Sequence, residues 1–250
     1  EDDIEQAILS KLKEEPLKYD ILICDPSPDK RDVLPDGTGR NSKKECVLPD
    51  VMLSSLKRVN PTIGEDKIKE IVKTLRQDYT GTDIVDTNYK LYRQIRNNIK
   101  ITVRRNGKED FDFVKLIDFE HPKNNTFTAV SQMWIQGKVY YRRPDILIFV
   151  NGMPLVFIEL KNSIVKVEEA YNKNLKDYMR DIPNLFAFNQ ICVLSNGLET
   201  KLGAFNATYD YFFEWLKIDS EKEKLDREAI LAADNVKDSS VRYFIDGLLN

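Results

Sequence analysis

The feature that most constrains the fold is an apolar stretch at residues 146–160, which Asn151 and Gly152 divide into two halves. Asn-Gly between two apolar segments is the strongest short-range signal for a β-hairpin, because both turn positions need positive φ values. The stretch is further interrupted by Pro154 and Glu159, and no apolar stretch in the chain approaches the roughly 20 residues that a membrane span requires. We therefore predict a hairpin with strands at residues 146–150 and 155–161.

The register of this hairpin follows from its turn. Counting back from a two-residue turn pairs Asp145 with Ile158 and places Glu159 one step further along. Because alternate side chains of a strand share a face, Glu159 and Lys161 project from the same side. Pro154 cannot donate a hydrogen bond within the ladder, so a bulge there would shift this register by one residue. The arithmetic brings two carboxylates and an ammonium to one end of the hairpin.

Charged groups at the ends of apolar strands are costly unless they are paired or bind a metal. Carboxylate oxygens suit Mg²⁺, which lowers the pKa of a bound water and neutralises phosphate charge. A nearby ammonium can position the nucleophile and stabilise the pentavalent state, so Asp145, Glu159 and Lys161 predict phosphodiester hydrolysis. A plain salt bridge is the alternative, because Asp followed by Glu-x-Lys arises readily by chance when 32% of the residues are charged.

The other segments predict an α/β domain with helices at both ends. Helical patterns lie at residues 3–15, 48–59, 65–77, 83–99, 165–180, 209–216, 221–233 and 241–249. Strand patterns outside the hairpin lie at residues 19–24, 101–105, 111–119, 127–135, 139–141 and 186–194. A polar segment rich in Pro, Asp, Lys and Gly, residues 26–41, is predicted to be a loop. We predict a helical N-terminal part at residues 1–98, an α/β core at 99–218 and a helical tail at 219–250.

Several chemistries are excluded by what the sequence lacks. It has one histidine, His121, and therefore no HExxH zinc motif, and it contains no Walker A, GxGxxG or GxSxG motif. Its 3 cysteines are an odd number without a CxxC pair, which favours reduced thiols in a cytoplasmic protein. The net charge of −3, from 38 basic and 41 acidic residues, gives no global sign of a nucleic-acid partner, although local basic patches could bind one.

The start of the chain carries no targeting signal. Glu1, Asp2 and Asp3 are followed by neither the basic region nor the apolar segment of a signal peptide. We therefore expect a piece of a longer cytoplasmic protein, without a secretory or membrane segment.

Three groups of residues in and before the hairpin form one pattern. They are Leu116-Ile117-Asp118-Phe119, Asn124-Asn125-Thr126-Phe127, and the run from Arg143-Pro144-Asp145 through Asn151-Gly152-Met153-Pro154-Leu155 to Glu159-Leu160-Lys161. This pattern resembles the N-terminal nuclease domain of type I restriction enzyme R subunits, a PD-(D/E)xK nuclease with the restriction-endonuclease-like fold. The similarity continues through residues 174–178, 182–186 and 194–197 to Trp215, and loosely back to residues 56–61. It implies a mixed β-sheet flanked by helices.

The resemblance also implies the roles of the motif residues. Asp145 and Glu159 would be Mg²⁺ ligands, with the backbone oxygen of Leu160 as a third ligand. Lys161 would be the catalytic lysine.

Supporting residues are implied by the same resemblance. Related nucleases often carry a Q-x-x-x-Y motif on the next helix, which holds DNA or the active-site lysine. Asn174 and Tyr178 occupy these positions here, and the shorter side chain of Asn174 makes Tyr178 the better candidate. Some relatives add a carboxylate from the first helix, for which Glu5 is the candidate, although an exposed charge is the simpler interpretation of Glu5.

Residues close to the motif are candidates for DNA contacts. Arg142 and Arg143 precede Asp145, and phosphate contacts are expected there, with Arg143 the better candidate. Gln132 lies on the strand before the motif and could face the site, although an edge position explains it equally well.

The resemblance implies a Mg²⁺-dependent endonuclease domain that hydrolyses duplex DNA within the R subunit of an ATP-dependent type I restriction-modification enzyme. ATP would be used by motor domains absent from this chain, and the partners would be methyltransferase and specificity subunits. Two alternatives stay open: a non-catalytic module that guides DNA or docks against the motor, and a repair or recombination nuclease of the same superfamily. The Asn124-Asn125 and 151–155 blocks count against the second alternative.

Overall fold

The computed structural model describes residues 2–214 of the chain. Its longer helices are α1 (Asp2–Lys13), α2 (Pro49–Val59), α3 (Glu65–Leu75) and α4 (Ile84–Asn97). Two short helices, α5 (Val167–Glu169) and α6 (Lys176–Asp181), are joined by a π-helical segment, Ala170–Leu175. The strands are β1 (Asp20–Ile23), β2 (Ile99–Arg105), β3 (Lys108–Val114), β4 (Phe127–Ser131), β5 (Ile135–Gln136), β6 (Tyr141–Arg142), β7 (Ile146–Val150), β8 (Met153–Leu160), β9 (Ile191–Ser195), β10 (Thr200–Gly203) and β11 (Phe213–Glu214). Short 3₁₀ turns cover Pro28–Lys30, Pro122–Asn124, Pro183–Ala187 and Tyr209–Tyr211.

The central element is a 7-stranded sheet with the order β1-β4-β7-β8-β9-β10-β11. The β1–β4 and β8–β9 pairs are parallel and the other neighbours are antiparallel. Two small sheets, β2–β3 and β5–β6, complete the strand pairing within the described range. The predicted α/β class and the mixed sheet flanked by helices are confirmed, whereas the predicted helical tail at residues 219–250 lies outside the described residues.

The sheet contains strands from before and after the domain boundary predicted at residue 98. β1 pairs with β4 along its whole length, from Asp20 opposite Thr128 to Ile23 opposite Ser131. The first part of the chain therefore supplies an edge strand as well as helices. The division of the chain at residue 98 stays a prediction.

The inner strand β7 is buried on both faces. Phe149 joins an apolar cluster that includes Tyr178 of α6, and Ile148 joins a second cluster that includes Ile8 of α1. This alternation is what a strand between two helical layers requires, and full burial of each such side chain contributes about 1.5–3 kcal/mol. The ends of β7 and β8 are consequently held between α1 and α6.

The predicted Asn-Gly turn is confirmed, and it lies inside the protein. Asn151 and Gly152 have φ values of 50° and 79°. The Asn151 side chain is buried and donates to the backbone oxygen of Leu116 and the side-chain oxygen of Asn125. A Cβ on Gly152 would lie 2.6 Å from the backbone oxygen of Leu48. The turn therefore anchors the hairpin to its neighbours.

The simple register predicted for the hairpin is wrong, and the shift considered at Pro154 occurs. A bulge next to Pro154 displaces the ladder, so that Ile146 lies opposite Ile158. One step further along the shifted ladder, Asp145 stands opposite Glu159. The bulge therefore brings Asp145 and Glu159 together at the end of the hairpin, where Asp145 accepts from the backbone amide of Leu160.

Several predicted elements differ from the structure in type or length, among them the strands 111–119 and 139–141, and two show the cause most clearly. Of the segment 209–216, predicted as a helix, the described residues 209–214 form a 3₁₀ turn and then β11, because Phe212 takes an extended backbone and its ring lies against Gly203. The segment 186–194, predicted as one strand, starts within the 3₁₀ turn that follows Pro183, so β9 begins only at Ile191. Strand pairing and packing decided both segments, and neither is visible in local periodicity.

The polar loop after β1 is fixed by buried charges. The Asp36 carboxylate accepts hydrogen bonds at 2.6 Å from both Arg40 and Lys43, whose side chains are almost completely buried. Arg40 also donates to the backbone oxygen of Trp134. A loop of polar composition is thus tied to the body of the domain.

Two further expectations can be compared with the structure. No helix within residues 2–214 has the length and apolar character of a membrane span. Cys24, Cys46 and Cys192 are buried and free, as their odd number and wide spacing predict.

Candidate active site

A cleft of about 610 Å³ opens where β7 begins and β8 ends. Its lining comes from α1, β1, the ends of β4, β7 and β8, and the helix that follows. The lining residues are Asp2, Glu5, Gln6, Ile23, Cys24, Pro26, Ser131, Gln132, Arg143, Asp145, Glu159, Leu160, Lys161, Asn174 and Tyr178. All residues predicted from sequence for the site are among them, except Arg142.

Glu159 reaches the cleft from β8, and Asp145 reaches it from the position directly before β7. The Asp145 Oδ2 atom accepts a hydrogen bond of 2.7 Å from the backbone amide of Leu160. Glu159 is 2% exposed, although its carboxylate lines the cleft. Both carboxylates are fixed by buried strands, and such sites are more precise than sites built on loops.

Lys161 lies beside these oxygens. Its Nζ atom donates to Glu159 Oε1 at 3.1 Å and to the backbone oxygen of Leu160 at 2.9 Å. Its backbone amide donates to the backbone oxygen of Ser195 on β9 at 2.8 Å. The salt bridge that the sequence left open is therefore present, and it holds the ammonium against two of the expected metal-ligand oxygens.

The interpretation of Glu5 as an exposed charge is wrong. Glu5 is 6% exposed, its carboxylate accepts hydrogen bonds from Ser131 Oγ and, at 2.6 Å, from Gln132 Nε2, and it lines the cleft. Glu5 belongs to the buried face of α1, three residues before Ile8 and seven before Leu12. A carboxylate at an apolar position of a helix was the sequence signal that could have revealed it.

Gln132 faces the cleft and does not lie on a free edge. Its backbone amide donates to the backbone oxygen of Asp145 at 2.9 Å. Its side-chain Nε2 lies 2.6 Å from Glu5 and 3.5 Å from Asp145 Oδ1. The predicted strand 127–135 ends here, because Gln132 takes a φ of 58°.

Tyr178 supports the backbone just before the motif. Its hydroxyl donates to the backbone oxygen of Arg143 at 3.1 Å, and its ring packs edge-on against Phe157. Burial raises the pKa of Tyr178, and the charges of Glu159 and Asp145 raise it further, so the hydroxyl stays protonated and remains a donor. The side chain of Asn174 forms a hydrogen bond with Tyr178, one turn away on the same helix.

Arg142 and Arg143 have different environments. The Arg143 guanidinium lines the cleft, donates to the backbone oxygen of Pro26 and lies over the Trp134 ring. Arg142 turns away and pairs with Asp181 and Asp177 on α6. Of the two, Arg143 alone is among the residues that line the cleft.

The donor set in the cleft fits a magnesium ion. The carboxylates of Asp145 and Glu159 and the backbone oxygen of Leu160 are all oxygen donors, which is the ligand type that Mg²⁺ prefers. Among the described residues that line the cleft there is no histidine, and the thiol of the lining residue Cys24 is directed to the backbone oxygen of Asp36.

Comparison with known proteins gives one consistent family. The family model described as type I restriction enzyme R protein N terminus matches residues 1–211. A putative type I restriction enzyme MjaIXP endonuclease subunit of Methanocaldococcus jannaschii is 32% identical over 222 residues, which is 85% of this chain and 20% of that protein. The type I restriction enzyme HindI endonuclease subunit of Haemophilus influenzae is 33% identical over 189 residues, 74% of this chain and 18% of that protein. The chain spans about a fifth of the length of these curated relatives.

Proposed function

The chain belongs to the family of type I restriction enzyme R protein N termini, and from this premise we propose that it is a Mg²⁺-dependent endonuclease domain that hydrolyses phosphodiester bonds of duplex DNA. The observation that carries the proposal is the meeting of Asp145, Glu159 and Lys161 in one cleft at the end of two buried strands. Two carboxylates and an ammonium on rigid strands supply the groups that this hydrolysis needs.

Asp145, Glu159 and the backbone oxygen of Leu160 would hold the ion. Mg²⁺ bound there would lower the pKa of a water and offset phosphate charge. The hydrogen bond from the Leu160 amide keeps the Asp145 carboxylate aimed at the cleft. Because the ligands come from two paired strands, their spacing is set by the ladder and not by a flexible loop.

Lys161 would supply a positive charge in addition to that of the metal ion. Its ammonium is held in the cleft lining by Glu159 Oε1 and by the backbone oxygen of Leu160. From this position it can donate to a phosphate oxygen or orient the attacking water. Losing one such electrostatic stabiliser typically lowers kcat by about 100- to 1,000-fold.

Arg143 and Tyr178 would position the substrate. The Arg143 guanidinium lies on the wall of the cleft and is placed for a charge-assisted bond to a phosphate next to the one attacked. Tyr178 holds the Arg143 backbone oxygen and thereby the segment that enters β7. Asn174 belongs to the same wall.

The rest of the proposal concerns the protein around this domain. The similar endonuclease subunits are about five times as long as the aligned region. We infer that the chain functions in the cytoplasm within an R subunit whose motor domains use ATP, together with methyltransferase and specificity subunits. DNA sequence recognition would then belong to those partners.

The test is nicking of a supercoiled plasmid by the 250-residue chain in Mg²⁺ or Mn²⁺. We expect metal-dependent nicking that falls at least about 100-fold in Asp145→Ala and Lys161→Ala. Asp29→Ala, an exposed carboxylate in the loop after β1, is the matched control and should nick normally.

A chain that does not nick by itself is tested inside the full ATP-driven complex. There Asp145→Ala should abolish cutting and leave translocation intact. Normal cutting by that variant complex would overturn the proposal and favour a module that guides DNA or docks against the motor.

A further inference from the structure

Two neighbouring residues at the end of β4 bind the same carboxylate. Ser131 Oγ donates to Glu5 Oε1, and Gln132 Nε2 donates to Glu5 Oε2 at 2.6 Å. Successive side chains of a regular strand point to opposite faces of the sheet and could not both reach one group. A local departure from strand geometry must therefore bring the two side chains together.

The departure is the backbone of Gln132. Its φ of 58° lies in the left-handed region, which costs a residue with a side chain roughly 1–2 kcal/mol. The chain stays attached to β7 nevertheless, because the Gln132 amide donates to the backbone oxygen of Asp145 at 2.9 Å. The fold thus holds a strained residue at a point where its side chain turns into the cleft.

The amide of Gln132 connects two distant parts of the site. Its Nε2 atom contacts Glu5 of α1 at 2.6 Å and lies 3.5 Å from Asp145 Oδ1 at the start of β7. Its Oε1 atom is buried and has no hydrogen-bond partner within the described residues. Orientation of the amide is therefore set by the carboxylates that it binds.

We propose that Gln132, held in a left-handed conformation at the end of β4, is a positioning residue that fixes the Glu5 carboxylate beside Asp145 and so makes α1 a part of the site. Strained residues of this kind persist where the surrounding structure holds them and cluster at functional sites. The placement of Glu5 follows from the hydrogen bonds alone, whereas its use toward the metal rests on the proposed function.

Substitution by glycine separates the backbone from the side chain. Gln132→Gly keeps the left-handed conformation without strain but removes the amide. Asn98→Gly is the matched control, because Asn98 has a φ of 63° at the end of α4 and is not part of the cleft lining. Both variants should fold, since glycine adopts positive φ freely.

The first measurement is a double-mutant cycle of Gln132→Gly and Glu5→Ala. Its readout is the midpoint of urea unfolding of the 250-residue chain in EDTA. If Gln132 holds Glu5, the two changes are non-additive, because Gln132→Gly loses the bond to Glu5 in the unaltered chain but not in Glu5→Ala, so its midpoint shift differs between the two backgrounds. Additive midpoint shifts would overturn the proposal, whether or not the chain binds metal or cuts DNA. Asn98→Gly combined with Glu5→Ala should be additive.

The second measurement is the affinity of the same variants for Mn²⁺, determined by electron paramagnetic resonance. Mutation of a residue that supports a metal ligand typically lowers metal affinity by about 10- to 100-fold. We therefore expect Gln132→Gly to weaken Mn²⁺ binding about tenfold. In a chain that already carries Glu5→Ala, adding Gln132→Gly should not weaken Mn²⁺ binding further. Asn98→Gly should bind as the unaltered chain does. Unchanged affinity in Gln132→Gly, with affinity lost in Asp145→Ala, would refute the role of Gln132 and leave the proposed function standing. If Asp145→Ala also binds normally, the proposed metal site itself is wrong, and the cycle in EDTA still decides whether Gln132 holds Glu5.

Discussion

The carboxylate of Asp145 accepts a 2.7 Å hydrogen bond from the backbone amide of Leu160, which joins the two strands of the hairpin just beyond their last ladder pair. The bulge next to Pro154 makes this contact possible, because the shifted register brings Asp145 opposite Glu159. A side chain proposed to bind metal thus also closes the open end of the hairpin, so its structural and catalytic contributions must be separated experimentally.

Asparagine and alanine at residue 145 separate these contributions. The side-chain oxygen in Asp145→Asn can still accept from the Leu160 amide, whereas Asp145→Ala loses the bond, worth about 1 kcal/mol. We expect Asp145→Ala to melt about 2–4 °C below Asp145→Asn, while both lose plasmid nicking because both lack the charge. Calorimetry and the nicking assay measure the two effects, and Asp29→Asn serves as control. Nicking retained by Asp145→Asn would contradict the ligand role.

Tyr178→Phe tests the support of the motif backbone. The change removes the hydroxyl that donates to the Arg143 backbone oxygen and keeps the ring against Phe157. We expect about a tenfold slower nicking rate, since an acceptor left unpaired in a part-buried site costs about 1–3 kcal/mol. Because burial keeps the pKa of Tyr178 above its ordinary value, the hydroxyl is protonated at both pH 7 and pH 9. The ratio of the nicking rate of the unaltered chain to that of Tyr178→Phe should therefore be the same at the two pH values. Tyr211→Phe, at an exposed tyrosine, should change nothing, and an equal loss there would count against the assignment.

The two adjacent arginines should have opposite phenotypes. Arg143→Met removes a guanidinium from the cleft wall, so duplex DNA binding should weaken and the slope of log affinity against log salt should decrease by about one. Arg142→Met removes one of the two arginine partners of Asp181, which keeps Arg180, and should lower the free energy of unfolding by about 1 kcal/mol while leaving the salt slope unchanged. Fluorescence anisotropy with a labelled duplex at several salt concentrations, together with urea unfolding, distinguishes them. Identical salt slopes in the two variants would contradict the assignment.

The buried charges of the loop after β1 predict a pH dependence of stability. Burial opposes ionisation of Asp36, but Arg40 and the hydrogen bonds from Lys43 and Thr38 outweigh it and hold its pKa well below the ordinary value. The lowered pKa means that Asp36 stabilises the fold above about pH 4, the range of its unfolded pKa, and that this stability is lost as the pH falls through the lower folded value.

Asp36→Asn measures this contribution. Since one partner of a buried ion pair is removed, we expect a loss of about 3–5 kcal/mol in the free energy of unfolding at pH 7. The difference between the unaltered chain and the variant should narrow as the pH falls below about 4, because the unfolded chain then takes up the proton that folded Asp36 resists. Urea unfolding at a series of pH values measures this difference in the free energy of unfolding. Asp29→Asn, at an exposed aspartate, is the control. A difference that does not change with pH would show that Asp36 acts without its charge.

Gly152→Ala tests the anchoring of the hairpin turn. Gly152 has a φ of 79°, and a Cβ there would lie 2.6 Å from the Leu48 backbone oxygen, so both strain and a clash are expected. Gly107→Ala is a matched control, because Gly107 has a φ of 77° but no atom within 4 Å of the added Cβ. We expect Gly107→Ala to cost about 1–2 kcal/mol of unfolding free energy and Gly152→Ala clearly more. Equal losses would show that the close approach to Leu48 is relieved by movement.

Features that depend only on residues close together in the chain were predictable from the sequence. The Asn-Gly turn, the apolar strands on either side and the Asp-Glu-Lys set lie within residues 145–161, so turn chemistry and side-chain alternation place them without knowledge of the rest of the chain. The main helices were predictable for the same reason, because their apolar periodicity is local.

Other features depend on contacts between segments that are far apart in the chain, and only the tertiary structure decided them. Local pattern showed that Pro154 could shift the register, but pairing with the neighbouring strands fixed the bulge. Packing of α1 against the sheet buried Glu5, and the left-handed turn at Gln132 holds its carboxylate near Asp145. Side-chain periodicity records which face of an element is apolar, but it does not record which distant group that face will meet. The sequence by itself therefore determined the hairpin and its charged end, and the packing of remote elements determined how the cleft around that end was completed.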